Sequence, residues 1–269
     1  MDKNALKNTC RLCIQIVGET GDFIRNELGK VKPGIVETKS LNSLVSYVDQ
    51  QAEKQLVSRL SEILPGSVFF TEENTVARAA GKYRWVIDPL DGTTNFLHGL
   101  PCFAVSVALQ EDEKTILGLV LEVSRDECFY AWKGGGAFCN GHPIKASQNV
   151  RLADSLIATG FPYYDFSRKE AYFQAFEQLM RSTRGIRRFG AAAVDLAYVA
   201  CGRFDAFFEY SLQPWDIAAG LILVEEAGGK CSDFCGADDT FSGKEIIAGN
   251  AFVYPEFLKI IKSSFYPEK

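Results

Sequence analysis

The sequence predicts a mixed α/β fold, with an N-terminal α+β half packed on a C-terminal α/β half. Two patterns indicate it. Between residues 103 and 132, three apolar or alternating runs are separated by short turns, which is typical of an antiparallel meander. Beyond about residue 150, short apolar runs alternate with amphipathic segments, which favours alternating strands and helices. We place the boundary between the halves at 141–150, giving predicted units 1–145 and 146–269.

The N-terminal half opens with two predicted amphipathic helices. The first covers about residues 4–28 and ends near Gly29 and Pro33, and the second runs from about Tyr47 to a stop at 65–66. Apolar runs predict the strands that follow. These strands cover 67–70, 83–87, 103–109, 116–123 and 127–132, with turns at 110–114 and 134–136. The second turn is glycine-rich but lacks the lysine and serine of a P-loop, so it is interpreted as a tight turn.

The C-terminal half continues the alternating pattern. Its predicted strands cover 155–159, 185–189 and 204–209, with two more near 230 and 246, and its predicted helices cover 168–182, 191–201, 215–227 and the segment from 254. No internal repeat, low-complexity stretch or flexible linker interrupts the pattern. The two halves are therefore expected to form one working unit.

Composition and charge exclude several classes of function. The chain has 269 residues, 47% of them hydrophobic, and a formal net charge of -5, so it lacks the basic surface that general nucleic-acid or membrane-surface binders need. Its opening residues, MDKNALK, lack the apolar core of a signal peptide, and no later run is long and uncharged enough to span a membrane. We therefore expect a cytoplasmic protein with no membrane partner and no general nucleic-acid binding. A small anionic ligand stays open if a local site carries metal.

The eight cysteines are scattered along the chain, and we interpret them as reduced, mostly buried thiols. Cys10 and Cys13 share one apolar face of the first predicted helix, which favours core packing over redox or metal chemistry. Cys231 and Cys235 have no second cysteine pair or nearby histidine. With only two histidines, the chain has little material for a zinc site or a histidine-based triad.

The strongest chemical feature is a predicted strand that ends in two aspartates. In WVIDPLDGTTNF, residues 85–96, Asp88 and Asp91 lie three apart on a tight turn, where hard carboxylates can bind shared oxygen-preferring cations. Gly92 lets the backbone approach a ligand closely, and amides at a helix start favour phosphate. Metal and phosphate would then share one site. The alternative is that Asp-Pro and Asp-Gly form turns and that Asp91 caps a helix.

Further acids are candidates for the same site. Glu72 and Glu73 follow the predicted strand 67–70, Asp216 begins an apolar helix, and Asp49 lies in the first turn of the second helix or just before it. For Asp49 and Asp216, helix capping is the structural alternative because a carboxylate suits the positive end of a helix. The convergence of several acids at strand and helix ends weakens the turn-and-cap interpretation.

These motifs resemble the inositol monophosphatase family of lithium-sensitive, magnesium-dependent phosphatases. DPLDGTTNF at 88–96 resembles the family's first signature, and WDIAAG at 215–220, followed by EAGG at 226–229, resembles its second. TEEN at 71–74 resembles the acidic element upstream, and LVSYVD at 44–49 resembles the early aspartate motif. The resemblance covers essentially the whole chain in order and spacing. It implies a layered αβαβα sandwich that assembles as a homodimer.

The resemblance also implies roles for individual residues. Magnesium, as two or three ions per site, would be bound by four carboxylates and one carbonyl, those of Glu72, Asp88, Asp91, Asp216 and Leu90. The Thr93 hydroxyl and Asp49 would orient and deprotonate the attacking water, Glu72 would take part in catalysis, and the amides of Gly92 and Thr93 would hold the phosphate. The leaving alcohol would contact Asp91, Gly190, Ala192 and Glu209.

The implied reaction is in-line attack of a metal-activated water on a small phosphate monoester, with inositol monophosphate as the substrate. Nucleotide 3'-phosphates, NADP and fructose 1,6-bisphosphate are alternative esters, and a regulatory binding role is a further alternative. TNF at 94–96 resembles the inositol branch more than the nucleotidase branch. Ala191 stands where family members commonly carry a small hydroxyl residue, and Phe70 and Thr71 replace an aliphatic–glycine pair. These departures leave the identity of the substrate open.

An arginine pair, a lysine and an aromatic loop each allow two interpretations. Arg187 and Arg188 could face a phosphate or a partner subunit, or form a solvated charge pair. Lys39 could reach the phosphate region from an early hairpin or be unconnected with it. The aromatic side chains of the loop 161–166 could anchor that loop or lie at a dimer face.

Overall fold

The computed structural model describes residues 1–31, 37–40, 43–162, 165–238 and 244–267, with only the backbone described for 37–40 and 43–45. The helices are α1 (Lys3–Glu27), α2 (Tyr47–Ile63), α3 (Thr93–Leu97), α4 (Lys169–Ser182), α5 (Ala192–Ala200), α6 (Pro214–Glu226) and α7 (Tyr254–Phe265). The strands are β1 (Glu37–Ser40), β2 (Ser43–Val45), β3 (Val68–Thr71), β4 (Tyr83–Asp91), β5 (Ala104–Glu111), β6 (Lys114–Glu122), β7 (Glu127–Trp132), β8 (Gly136–Cys139), β9 (His142–Ile144), β10 (Leu156–Thr159), β11 (Gly185–Arg187), β12 (Ala206–Tyr210), β13 (Gly229–Ser232) and β14 (Glu245–Asn250).

The strands form two large sheets and one small hairpin of β1 and β2. The first large sheet has the order β3-β4-β5-β6-β7-β8-β9, and all its neighbouring pairs are antiparallel except β3 and β4. The second has the order β11-β10-β12-β14-β13, with β10 parallel to both its neighbours. The predicted meander is therefore confirmed, and so is the alternation of strands and helices after residue 150.

Helices separate and cover the two sheets. α1 and α2 pack on one face of the seven-stranded sheet, α5 and α6 lie between the two sheets, and α4 and α7 cover the outer face of the five-stranded sheet. The five layers confirm the αβαβα sandwich. The predicted division at 145/146 stays a prediction, since the middle helix layer packs on both sheets.

The middle layer approaches the seven-stranded sheet very closely. A Cβ atom on Gly118 of β6 would lie 2.7 Å from the carbonyl oxygen of Ala219 and 2.6 Å from Cγ2 of Ile222, both in α6. Glycine at this strand position lets the helix backbone rest on the sheet. α6, whose first turn contains Asp216, therefore packs directly on the seven-stranded sheet.

Several element boundaries differ from the sequence predictions. β4 does not end at residue 87 but continues to Asp91, because it keeps pairing with β5 across a register shift between Asp88 and Asp91. β8 and β9 were not predicted, because they are short and contain Gly136 and Pro143. The glycine turn at 134–136 is confirmed, with positive φ at Gly134 and Gly136.

The cysteines are free thiols, as predicted, but their burial is only partly as expected. Cys10 and Cys13 are buried in the core face of α1, which confirms the core-packing interpretation, whereas Cys235 is exposed and the rest are partly buried. Burial raises the pKa of the Cys10 thiol to about 12. Among the described residues, no helix has both the length and the apolar character that crossing a bilayer requires.

Candidate active site

A cleft of about 130 Å³ opens where the end of β4, the start of α3, the segment before α5, the end of β12 and the start of α6 meet. It brings together every residue to which the family resemblance assigns a role, except one, whereas the neighbouring acid Glu73 is not among the lining residues. The residues of this set that line the cleft are Glu72, Asp88, Leu90, Asp91, Gly92, Thr93, Gly190, Ala192, Glu209 and Asp216. The exception is Asp49, which lies behind Thr93 and contacts its hydroxyl.

The cleft concentrates negative charge. Burial, followed by the charges of Glu72, Asp91 and Asp216, raises the pKa of Asp88 well above its ordinary value. Burial and the charge of Asp91 raise the pKa of Asp216 to about 7. Burial also raises the pKa of Asp91, although a hydrogen bond from the backbone amide of Ala193 opposes the shift. Acids that disfavour one another's ionisation are a recognised mark of a functional site.

The donor atoms of this cluster suit a hard divalent cation. All of them are oxygens, from the four carboxylates and the Leu90 carbonyl, and magnesium prefers such ligands. Within the described ranges, however, no three acidic, histidine or cysteine side chains converge as a ready-made ligand set. The four carboxylates nevertheless line one cleft, and the charges of Glu72, Asp91 and Asp216 help to raise the pKa of Asp88. The chemistry of these donors fits a magnesium site.

Thr93 and Asp49 form a hydrogen-bonded pair at the back of the cleft. The Thr93 hydroxyl lies 3.0 Å from Oδ1 of Asp49 and 2.9 Å from the Leu90 carbonyl oxygen. Oδ2 of Asp49 accepts hydrogen bonds from the amide of Ser46 at 2.9 Å and from its hydroxyl at 2.7 Å. Asp49 therefore caps α2, as the structural alternative predicted, and also contacts Thr93. Burial raises its pKa, and the hydrogen bonds from Ser46 and Thr93 oppose that shift.

Asp91 also connects the end of β4 to the start of α5. Its Oδ2 accepts a hydrogen bond of 2.8 Å from the amide of Ala193. Ala191, the N-cap residue of α5, has no side-chain cap of its own. Asp91 therefore supplies from β4 the carboxylate that the N-terminus of α5 favours. The alternative that Asp91 caps the helix following it in the chain is therefore wrong, because α3 has no side-chain cap, and Asp91 instead accepts from the start of α5 while lining the cleft.

Gly92 connects β4 to α3 in a conformation that favours glycine. Its φ of 85° is left-handed, and a Cβ atom there would lie 2.9 Å from the Cys102 carbonyl oxygen. Asn95, one turn later, donates hydrogen bonds to the carbonyl oxygens of Cys102 at 2.7 Å and Phe189 at 2.8 Å. Asn95 thus ties the motif to the segment that carries Gly190.

Glu209 lies on the opposite wall of the cleft. It is 6% exposed, and a Cβ atom on Gly160 would lie only 1.9 Å from its Oε1 atom. Burial, then the negative charges of Asp195 and Asp216, raises the pKa of Glu209 well above its ordinary value. Arg188, which also lines the cleft, opposes that shift.

Sequence reasoning did not assign roles to Asn95, Gly160 or Asp195. Asp195 is 1% exposed in α5, its Oδ1 has no hydrogen-bond partner among the described residues, and burial raises its pKa well above the ordinary value. An acid among the alanines and valines of α5 was the available signal for Asp195. No comparable signal marked Gly160, since its contact with Glu209 joins residues far apart in the sequence.

The arginine pair, the aromatic loop and Lys39 differ in where they lie relative to the cleft. Arg188 lies at the cleft and places its guanidinium 5.5 Å from the ring of Phe161, whereas Arg187 is exposed. Phe161 and Phe166 are 45% and 46% exposed, so the loop offers apolar surface. The side chain of Lys39 and residues 163–164 lie outside the described part of the chain.

Comparison with known proteins identifies the family. A sequence model of the Inositol monophosphatase family matches residues 7–264. The chain is 38% identical to an inositol-1-monophosphatase of Mesorhizobium japonicum, over 97% of this chain and 98% of that protein. It is 39% identical to the Nus factor SuhB of Pseudomonas aeruginosa, over 95% of this chain and 96% of that protein. The crystal structure of extragenic suppressor protein suhB from Bartonella henselae superimposes with a TM-score of 0.89 at 40% identity, covering 94% of this chain and 97% of that one. The chain therefore belongs to the inositol monophosphatase family, whose members are metal-dependent phosphatases.

Proposed function

We propose that this protein is a magnesium-dependent phosphatase that hydrolyses inositol monophosphate to inositol and inorganic phosphate. The observation that carries the proposal is the cleft in which Glu72, Asp88, Asp91 and Asp216 meet in front of the Thr93–Asp49 pair. A relative of nearly equal length, 38% identical, bears the name inositol-1-monophosphatase. The cleft is small and polar, as a phosphorylated polyol requires.

The carboxylates of the cleft and the Leu90 carbonyl would hold the magnesium, with two or three ions as the resemblance implies. Bound Mg²⁺ supplies charge neutralisation at the phosphate oxygens and lowers the pKa of a water molecule. The positive charge of a bound cation would also offset the repulsion among the carboxylates of the cleft. Metal affinity should therefore depend on each of the four acids.

The Thr93–Asp49 pair would orient the attacking water and accept its proton. When the Thr93 hydroxyl donates its hydrogen to Asp49, 3.0 Å away, its lone pairs remain available to a water molecule in the cleft. The raised pKa of Asp49 makes this carboxylate a stronger base than an exposed aspartate. The proton would pass from water to Asp49 through the hydroxyl.

The two walls of the cleft would hold the two ends of the substrate. The amides of Gly92 and Thr93 would face the phosphate, and Asp91, Gly190, Ala192 and Glu209 would meet the hydroxyl groups of the leaving alcohol. Ala191 offers no hydroxyl group to the substrate. One hydrogen bond fewer is worth about 1 kcal/mol, which bears on the choice among esters and not on the reaction.

The proposal is tested by phosphate release from inositol 1-phosphate, a nucleoside 3',5'-bisphosphate, NADP and fructose 1,6-bisphosphate, each with Mg²⁺ or with EDTA. Asp91→Asn is the test variant, and Asp126→Asn is the matched control, because Asp126 is a surface carboxylate paired with Arg25. We expect release that requires Mg²⁺, is greatest with inositol 1-phosphate, and is lost only in Asp91→Asn. A different preferred ester would keep the mechanism and replace the substrate.

A regulatory binding role is the second candidate function, and the 39% identity to a protein named Nus factor SuhB is the observation that favours it. Absence of phosphate release from every ester would favour this role.

A homodimer and a cytoplasmic location complete the proposal. Exposed Phe161 and Phe166 support the former, and free thiols fit a reducing compartment. Light scattering of the purified protein tests the dimer.

A further inference from the structure

We propose that Glu53 is a positioning residue that holds the segment carrying Glu72 in the cleft. The inference rests on the proposed function, because it concerns how one of the proposed magnesium ligands is oriented. Glu53 lies in α2 and is completely buried. It does not line the cleft, so its effect on the reaction has to pass through the residues that it contacts.

Both carboxylate oxygens of Glu53 accept hydrogen bonds from the residues around Glu72. Oε1 accepts from the Thr71 hydroxyl at 2.9 Å and from the amide of Thr75 at 2.7 Å. Oε2 accepts from the amide of Glu73 at 2.7 Å. A buried carboxylate that accepts several hydrogen bonds is well satisfied, and it fixes the donors in turn.

These contacts leave the backbone of Glu72 little freedom. The residues on both sides of it, Thr71 and Glu73, are bound to Glu53, and its own amide donates to the Ile87 carbonyl oxygen at 3.2 Å. Ile87 immediately precedes Asp88 in β4. The backbone at Glu72 is thus held by α2 on one side and by the strand that bears two other acids on the other.

A second contact holds the far part of the same segment. The guanidinium of Arg78 lies 4.2 Å from the centre of the Phe70 ring and 5.7 Å from that of Trp215, and these two rings are 5.3 Å apart. Trp215 directly precedes Asp216. The segment between β3 and β4 is therefore fastened to α2 by Glu53 and to the start of α6 by Arg78.

Glu53 lies in the same helix as Asp49 of the Thr93–Asp49 pair. Glu53 follows Asp49 by four residues, so both side chains lie on one face of the helix. Asp49 contacts Thr93, and Glu53 contacts the segment around Glu72. One helix face thus orients both the proposed base and a proposed magnesium ligand.

The test variant is Glu53→Gln, which keeps the shape of the side chain. Its amide oxygen can replace one carboxylate oxygen, but its NH2 group then faces a hydrogen-bond donor, so the contact to Glu73 or those to Thr71 and Thr75 are lost. Melting temperature is measured against Mg²⁺ concentration, and phosphate release from inositol 1-phosphate is measured over the same series. We expect the Mg²⁺ concentration for half-maximal effect to rise about tenfold or more in both series. At saturating Mg²⁺, KM stays near the wild-type value.

Two further variants separate positioning from general loss of structure. Thr71→Val removes one donor to Glu53 without changing the volume much, and it should raise the half-maximal Mg²⁺ concentration by less than Glu53→Gln does. Glu226→Gln is the control, because Glu226 also accepts backbone hydrogen bonds with both oxygens, from Gly134 and Gly136, at the opposite end of α6 from Asp216. It should leave the half-maximal Mg²⁺ concentration unchanged.

The outcomes are distinguishable. A lower melting temperature by the same amount at every Mg²⁺ concentration in Glu53→Gln and Thr71→Val would overturn the inference, because a merely structural role predicts that result. If Glu53→Gln does not fold, Thr71→Val decides alone. If the wild-type protein is stabilised by Mg²⁺ but hydrolyses no ester, the proposed function fails. The inference is then still judged by whether Glu53→Gln raises the Mg²⁺ concentration that gives the half-maximal increase in melting temperature.

Discussion

The carboxylate of Glu209 lies over Gly160 with no space for a larger residue. A Cβ atom at residue 160 would come within 1.9 Å of Oε1 and 2.0 Å of Cδ. Because Glu209 is almost fully buried, its carboxylate cannot move without disturbing the wall of the cleft. Gly160 thus controls the position of the proposed contact to the leaving alcohol.

Gly160→Ala should impair the use of inositol 1-phosphate without weakening magnesium binding. A displacement of about 1 Å in a substrate-positioning group can cost up to about a hundredfold in rate, so we expect kcat/KM to fall by about tenfold to a hundredfold. The half-maximal Mg²⁺ concentration should stay at the wild-type value, because Glu209 is not among the proposed ligands. Steady-state kinetics at several Mg²⁺ concentrations measures both quantities.

Gly18→Ala is the matched control for this prediction. Gly18 lies inside α1, and a Cβ atom there would meet nothing within 4 Å. Alanine in place of a helix-interior glycine should raise the free energy of unfolding by about 0.5–1 kcal/mol and leave kcat/KM unchanged. Equal kinetics in the two variants would contradict the role given to Gly160.

Single residues also show what the sequence could reveal about the site. Asp88, Asp91, Gly92 and Thr93 lie within one contiguous motif, so their joint presence in the cleft could be predicted from local order. The link from Asn95 to Phe189 could not, because it spans 94 positions and depends on how the two sheets face each other. Contacts of this kind are set by packing, and no local pattern encodes them.

At the level of elements, the start of α2 combines a helix cap with chemistry. The Ser46 hydroxyl donates to Oδ2 of Asp49 at 2.7 Å, and Thr93 contacts Oδ1. From the sequence, helix capping and water activation are alternatives for Asp49. The structure allows both, since the two oxygens of one carboxylate have different partners.

Ser46→Ala should therefore change both stability and the pH dependence of the reaction. Loss of the N-cap hydroxyl should lower the free energy of unfolding by about 1 kcal/mol. The Ser46 hydroxyl lowers the pKa of Asp49, so removing it should raise that pKa further. Because Asp49 must be ionised to accept a proton, the acid limb of kcat/KM should move to higher pH.

Asp2→Ala provides the comparison for Ser46→Ala. Asp2 caps α1 by accepting a 2.8 Å hydrogen bond from the amide of Ala5, and α1 contributes no residue to the cleft. A similar loss of stability is expected, measured by urea unfolding, with no displacement of the acid limb. An acid limb that coincides in the two variants would contradict the proposed role of Asp49.

Elements also differ in how well their limits follow from sequence. Both ends of α1 were predicted to within one residue, and the start of α7 was predicted at residue 254, because their apolar spacing is long and regular. The continuation of β4 to Asp91 was not predicted, because Pro89 and Gly92 signal a turn. Pairing with β5 overrides that local preference, and Asp88 and Asp91 therefore lie in the last residues of β4.

At the level of the whole molecule, the order of layers could not be read from periodicity. Apolar runs in α5 and α6 indicate burial, but not burial between two sheets. That arrangement was implied only by the family resemblance. It places Asp195 and Asp216, in the first turns of α5 and α6, near enough to Asp91 at the end of β4 for the charge of Asp91 to raise both their pKa values, so folding gathers negative charge from the middle helix layer and the seven-stranded sheet.

This gathering of charge should make the metal-free protein less stable as pH rises from 5 to 8. Ordinary carboxylates titrate near pH 4, whereas in the folded protein the pKa values of Asp91 and Asp216 are about 7, and that of Glu209 is raised as well. The folded state therefore binds more protons than the unfolded state between about pH 4 and 7, so the free energy of unfolding falls as pH rises through that window. Thermal unfolding in EDTA measures the fall.

Carboxylates with lowered pKa values do not reverse this trend. The N-terminal ammonium and the Tyr83 hydroxyl lower the pKa of Glu111 to about 2, so Glu111 is ionised in both the folded and the unfolded state above pH 5. Because Asp216 is one of the acids whose pKa is raised, Asp216→Asn should reduce the fall in melting temperature between pH 5 and 8, whereas Asp126→Asn, at the surface, should not.

Saturating Mg²⁺ should restore most of the lost stability at pH 8, because a cation that binds the ionised acids of the folded state favours that state. A melting temperature in EDTA that is constant or rises from pH 5 to 7 would contradict the raised pKa values and the clustering of acids on which the proposed magnesium site depends.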